Sequence, residues 1–217
     1  MEMLAKKGED FFLAVIGDIR GSRQSDDRQA LQQRLEAGLV ATNQQYRSAL
    51  AAEFVITLGD EFQGLLRVPG AAMEVVVTLE AALPEIPICY GMGWGTLTTS
   101  LRSQAVGMDG PCFHAARDAL EWGKRAKQWV TVQGFGTGND AILNSFLNLM
   151  GGVRARWKRR QAETVALMRN ARYQKDVAAT RGVVESVVSD TLKAALYGPM
   201  VEAERALAQL LERFAEP

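Results

Sequence analysis

Apolar and polar positions along the chain fall into blocks that predict strands and helices in a definite order. Phe11 to Ile19, FFLAVIGDI, is a continuous apolar run of strand length and predicts a buried central strand. Gly21 and Ser22 interrupt it, and Ser25 or Asp26 can cap a helix from about Asp27 to Tyr46. Leu31, Leu35, Leu39 and Val40 lie at helical spacing within it. Two short strands follow, about Glu53–Leu58 and Phe62–Arg67, joined as a hairpin through Gly59-Asp60. Pro69 and Gly70 close that pair. A second helix is predicted over Ala71–Leu83, a strand over Ile86–Gly95 ending in GMGWG, a third helix from Pro111 to about Lys124, and a strand over Gln128–Gln133.

The order β-α-β-β-α-β, then α-β, is the split βαβ pattern of ferredoxin-like domains with one unit added. Beyond it QGFGTGN, Gln133 to Asn139, reads as a plain connection, because no Lys-Ser/Thr follows its glycines to make a phosphate loop. Asp140 to Met150 predicts an apolar helix, and the remainder reads as wholly helical. The fold class expected is α+β: a ferredoxin-like palm over 10–135, a linker and connecting helix over 136–152, and an all-α helix-turn-helix domain over 153–217.

Composition adds little until charge is divided along the chain. Apolar residues make up 47% and charged residues 23%, which suits a packed core. The formal net charge is zero, yet Met1–Gly152 carries 13 basic and 17 acidic side chains, and Val153–Pro217 carries 12 and 8. A basic C-terminal part points to nucleic acid. Cys89 and Cys112 are too far apart for a CxxC pair, and the single His114 excludes a His-rich metal site. No signal peptide and no membrane span is predicted, so a cytoplasmic location is expected.

The chemistry-bearing acids are Asp18, at the end of the first strand, and Asp60 and Glu61, at the hairpin tip. In a split βαβ sheet the first strand lies beside the hairpin, which brings these carboxylates to one edge. The turn Arg20-Gly21-Ser22 offers backbone N–H groups ahead of a helix, a place for phosphate. Carboxylates beside phosphate are the hard-oxygen setting of Mg²⁺ or Mn²⁺.

AVIGDIRGS and TLGDEFQGLL resemble the palm of class III nucleotidyl cyclases. That resemblance implies metal binding by Asp18 and Asp60, with the main-chain carbonyl of Ile19 as a third ligand. Gly-Asp-Glu-Phe is also similar to the diguanylate cyclase hairpin tip, which implies Glu61 as an extra ligand. Cofactor contacts implied by the turn are Ile19, Gly21 and Ser22, with a nucleoside triphosphate or cyclic nucleotide as ligand. In PCFHAARDALE, Arg117 matches a catalytic phosphate-binding Arg, but Phe113 stands where active cyclases carry Asn. More narrowly, the chain resembles the SatD family through GDIRGSRQSDDRQALQQRL, TLGDEFQGLL, FHAARDALE and RRQAETVALM.

In the C-terminal part, Arg154 to Arg181 holds nine basic and two acidic residues. Ala178, Gly182 and Val188 fit helix-turn-helix spacing, with Val177, Val183 and Leu192 as further core positions and a preceding helix over Arg160–Arg169. Phosphate contacts to duplex DNA are expected from Arg156, Lys158, Arg159, Arg160 and Lys175. Ser186, Ser189 and Lys193 are expected on the exposed recognition helix. A last helix, Pro199–Phe214, reads either as packing on the domain or as the seam of a homodimer. The functional expectation is a regulator coupling a metal- and nucleotide-binding palm to a DNA-binding unit. The alternatives are an active nucleotidyl cyclase and a catalytically dead palm used for protein contact.

Overall fold

The computed structural model describes residues 10–21, 27–83 and 86–216. It is an α+β protein with one five-stranded mixed sheet and eight helices among the described residues. The strands are β1 (Phe11–Ile19), β2 (Leu50–Leu58), β3 (Glu61–Leu66), β4 (Ile88–Thr96) and β5 (Val130–Gln133). The helices are α1 (Arg28–Gln45), α2 (Ala72–Ala82), α3 (Pro111–Ala126), α4 (Thr137–Arg154), α5 (Arg159–Asn170), α6 (Gln174–Arg181), α7 (Glu185–Ala194) and α8 (Tyr197–Ala215). None is long and apolar enough to cross a membrane.

The sheet order is β2-β3-β1-β4-β5. β1 is antiparallel to both β3 and β4, and β5 runs parallel to β4. With partners on both edges and helices on both faces, β1 must be apolar throughout, which explains its unbroken hydrophobic run. Its alternate residues feed two separate cores. Leu13, Val15 and Ile19 meet Leu35 and Leu39 of α1, Val76 and Leu79 of α2, Leu143 and Leu147 of α4, and Leu207 and Leu211 of α8. Phe12, Ala14 and Ile16 meet Cys112, Phe113, Ala116 and Leu120 of α3 on the opposite face. Each such fully buried Leu or Ile contributes about 1.5–3 kcal/mol.

α3 lies unusually close to β4, and the GMGWG sequence is the reason. Gly91, Gly93 and Gly95 all face α3. A Cβ on Gly91 would sit 2.2 Å from Ala116 O, and one on Gly93 2.1 Å from Cys112 O. The helix therefore rests on bare strand backbone. α3 ends at Lys127, which takes the left-handed conformation (φ 57°) usually left to glycine.

Several elements extend beyond the sequence expectation. Asp27, not Ser25 or Asp26, caps α1, its Oδ1 accepting from Ala30 N at 2.9 Å; Ser25 and Asp26 lie outside the described residues. Val40 is half exposed, because it follows the buried stripe of Leu35 and Leu39 instead of belonging to it. The loop before α4 has its amides satisfied internally: Gly134 N and Phe135 N donate to Asp140 at 3.1 and 3.0 Å.

Helices α5, α6 and α7 enclose a third, small core of Val165, Val177, Ala178, Val188, Leu192 and Ala195. Gly182, with φ 64°, makes the left-handed residue between α6 and α7. α8 then returns to α2 and the sheet layer. Its Glu212 Oε1 accepts from Gly70 N at 2.7 Å. Its Glu204 receives both guanidinium nitrogens of Arg169 on α5, at 2.6 and 3.0 Å. The last helix thus packs on the protein's own core.

Candidate functional site

The register of β1 with β3 pairs Asp18 with Glu61, and Ile19 N donates to Asp60 O at 3.3 Å. Gly59 turns the hairpin in the left-handed region, φ 64°. The three acids singled out from sequence therefore stand together at one edge of the sheet. Strand alternation fixes which way two of them point. Asp18 continues the row of Ala14 and Ile16, and Glu61 the row of Gln63 and Leu65, so both carboxylates face α3.

α3 meets them with Arg117 and Lys124, two turns apart on one side of the helix. Arg117 grips Glu61 as a fork: Nη2 donates to Oε1 at 2.6 Å, and Nη1 to Oε2. Lys124 Nζ lies 3.1 Å from Asp18 Oδ2 and 3.4 Å from Glu121 Oε1. Thr57 Oγ1 adds a weaker bond to Glu61 at 3.3 Å.

The two carboxylates differ electrostatically. The hydrogen bond from Arg117 outweighs burial and holds Glu61 below the usual carboxylate range. Burial raises Asp18; Lys124 opposes the rise, and the nearby Asp60 and Glu61 add to it. Lys124 is itself opposed by burial but raised overall by its bond to Asp18. Seen from Lys124 the pair is favourable; seen from Asp18 it does not offset burial beside two other acids. Burial dominates at Asp18 because its side chain is the less exposed, 21% against 31%.

As they stand, no three His, Cys, Asp or Glu side chains among the described residues are arranged to hold a metal. The donor chemistry still suits a hard divalent cation, once Asp18 parts from Lys124. A cavity of about 330 Å³ adjoins the site on the other face, lined by Ile19, Gly59, Asp60 and the first turns of α1 from Arg28 to Leu35. Gly21 stands at this edge, exposed with φ 75°. Ser22 lies outside the described residues.

Phe113 is 6% exposed and belongs to the core beneath α3. His114 is on the surface, with Nε2 2.7 Å from Asp109 Oδ1. Lys124 was missed from sequence. The available signal was its position seven residues after Arg117, which puts both cations on one helix side.

The basic residues expected to touch DNA divide by position. Arg156, Lys158, Arg159 and Arg160 are exposed where α4 gives way to α5, and Arg159 pairs with Glu163 at 2.9 Å. Lys175 on α6 and Ser186 and Lys193 on α7 are exposed. Ser189 departs from the expectation: it is only half exposed, because it flanks the inward stripe of Val188 and Leu192. Lys158, Arg159 and Arg160 share a shallow groove with Val187, Asp190 and Thr191 of α7.

A family model described as the SatD family matches residues 12–198, most of the chain. No curated protein matches it.

Proposed function

The chain belongs to the SatD family, and from that premise we propose a regulator whose acid edge takes a divalent cation with a phosphate-bearing nucleotide. The observation that carries this is the facing of Glu61 by Arg117 and of Asp18 by Lys124, with Asp60 at the same sheet edge. Anionic and cationic groups in these numbers complement a cation and its polyphosphate. Without ligand they neutralise each other. With it, the carboxylates would hold Mg²⁺ or Mn²⁺, and Arg117 and Lys124 would turn to phosphate oxygens. The metal would supply charge neutralisation at the phosphates.

The sheet order β2-β3-β1-β4, with α1 and α2 on one face, supports reading 10–135 as a ferredoxin-like, cyclase-like palm. Burial of Phe113 favours binding without cyclase turnover, since no side-chain amide is offered there to steady a reacting nucleotide. α5, α6 and α7 are read as a helix-turn-helix unit that docks on duplex DNA. Support comes from the groove that joins Lys158, Arg159 and Arg160 to the exposed side of α7.

The test is thermal stability with Mn²⁺ and ATP or GTP against Mn²⁺ alone. At about 100 times its dissociation constant a ligand adds roughly 2.7 kcal/mol. Asp18→Asn and Asp60→Asn should abolish the nucleotide-dependent shift. An equal shift in both variants would remove the site, and product formation lost in Asp60→Asn would make the protein a cyclase. For the helical unit, duplex affinity of the full chain should fall with salt at a log–log slope of about −0.9 per phosphate contacted.

A further inference from the structure

A second cleft, of about 570 Å³, opens where α2, α4 and α5 meet the start of β4 and the residues just before β5. Its size is that of a small-molecule site. Its wall carries four cations, Arg20, Lys127, Arg154 and Arg169, against the single acid Glu80. Two of the cations are balanced: Arg154 by Glu80 and Arg169 by Glu204. The other two are not. Arg20 donates to the carbonyl of Gln128, Lys127 is exposed, and among the described residues neither has a carboxylate within ion-pair distance. Among the described residues, these two positive charges at the mouth of the cleft are left without an acid.

The floor is aromatic and fixed in place. The Arg154 guanidinium stacks 4.0 Å from the centroid of Trp129 and 5.2 Å from that of Trp157. Trp129 Nε1 donates to Glu80 Oε1 at 2.7 Å, so ring and guanidinium are oriented by one half-buried carboxylate. Arg154 covers the indole faces it stacks on, and this planar guanidinium–indole stack, beside a pair of unbalanced cations, suits a planar ring bearing a doubly charged anion.

The cleft also reaches the helical unit. Trp157 Nε1 donates to Ala195 O at 2.8 Å, at the end of α7, and Val165, in the cleft wall, belongs to the core of α5–α7. An occupant would touch the sheet layer through Arg20 and Trp129 and the helical unit through Trp157 and α5.

We propose that this cleft is an effector site for an aromatic phosphate monoester of mononucleotide size, whose binding fastens α5–α7 to the sheet layer. It is separate from the metal-dependent site at Asp18 and needs no divalent cation.

The experiment titrates the full chain with AMP and with GMP in EDTA, by calorimetry and by thermal unfolding, with inorganic phosphate as a separate arm. One mononucleotide should bind and raise Tm by roughly 5–10 °C at about 100 times its Kd. Lys127→Gln alone should weaken binding, and Arg20→Gln with Lys127→Gln by at least about tenfold. Asp18→Asn should leave it unchanged. The proposal is overturned if neither mononucleotide binds at millimolar concentration, if the double variant binds as well as the parent, or if inorganic phosphate gives the same shift. Binding lost in Asp18→Asn would return the ligand to the acid edge and also overturn it. Failure of Mn²⁺·nucleotide binding alone would count only against the other site.

Discussion

Asp18 and Glu61 are paired carboxylates on adjacent strands, yet removing their charges should have opposite effects. Glu61→Gln takes away the charge and one of the two acceptor oxygens of the Arg117 fork. A hydrogen bond to a charged group is worth about 1.5–3 kcal/mol. Arg117 is 41% exposed, so solvent screening reduces the loss to about 1 kcal/mol. Asp18→Asn removes a charge that burial and two neighbouring acids disfavour, while Lys124 keeps Glu121. The change should be neutral or stabilising, at the low end of the roughly 0.5–2 kcal/mol common for a favourable change of charge. For a chain of this size 1 kcal/mol moves Tm by about 2–4 °C, so the variants should differ by roughly 2–6 °C at neutral pH without ligand. The pH dependence has opposite signs too. Asp18 is raised on folding, so its contribution is fully present below its unfolded pKa and is lost as pH rises through the folded one. Asp18→Asn should therefore gain on the parent between acid and neutral pH. Glu61 is lowered, so its contribution is present above its unfolded pKa and lost as pH falls through the folded one; the deficit of Glu61→Gln should shrink in acid. Thermal or urea unfolding of the three proteins at several pH values measures both. Equal destabilisation at neutral pH would make Asp18 an ordinary structural ion pair and remove the physical case for a ligand site.

Arg169→Ala should cost about 3–5 kcal/mol in urea unfolding, because it leaves Glu204 buried without its partner, and Arg169→Met with Glu204→Leu should recover most of that loss. Gly91→Ala should destabilise by at least about 1–3 kcal/mol, since its methyl meets the backbone of α3. Gly152→Ala, on α4 with open space around it, should instead stabilise by about 0.5–1 kcal/mol in the same assay.

Much of the sheet could be read from local pattern. The run FFLAVIGDI has one sensible home, the middle of a covered sheet, and Gly59-Asp60 between two short apolar runs forces a hairpin. Once β1 lies beside that hairpin, Asp18, Asp60 and Glu61 must meet. Their partners were less legible. Lys124 sits in the last turn of α3, where a basic residue has an ordinary role opposite the helix dipole, and only the depth of the β4 glycine stripe brings it within reach of Asp18. The second cleft could not be read at all. Arg20, Glu80, Trp129 and the neighbouring Arg154 and Trp157 come from four stretches of chain, and nothing local says that they converge. The apolar spacing of α8 left its partner open between the chain's own core and a second copy. The decisive residues were Leu207 and Leu211, which enter the main core.

The glycine stripe also bears on timing. A helix seated on bare backbone has no cushion of side chains beneath it, and tightly packed interiors deform little. α3 therefore has no easy route to slide or lift when charge arrives at the acid edge. The response falls to Arg117 and Lys124 swinging about their own bonds, a matter of picoseconds to nanoseconds for partly exposed side chains. Such an edge would capture a ligand without a slow gate, at an encounter rate governed by long-range charge and so by ionic strength.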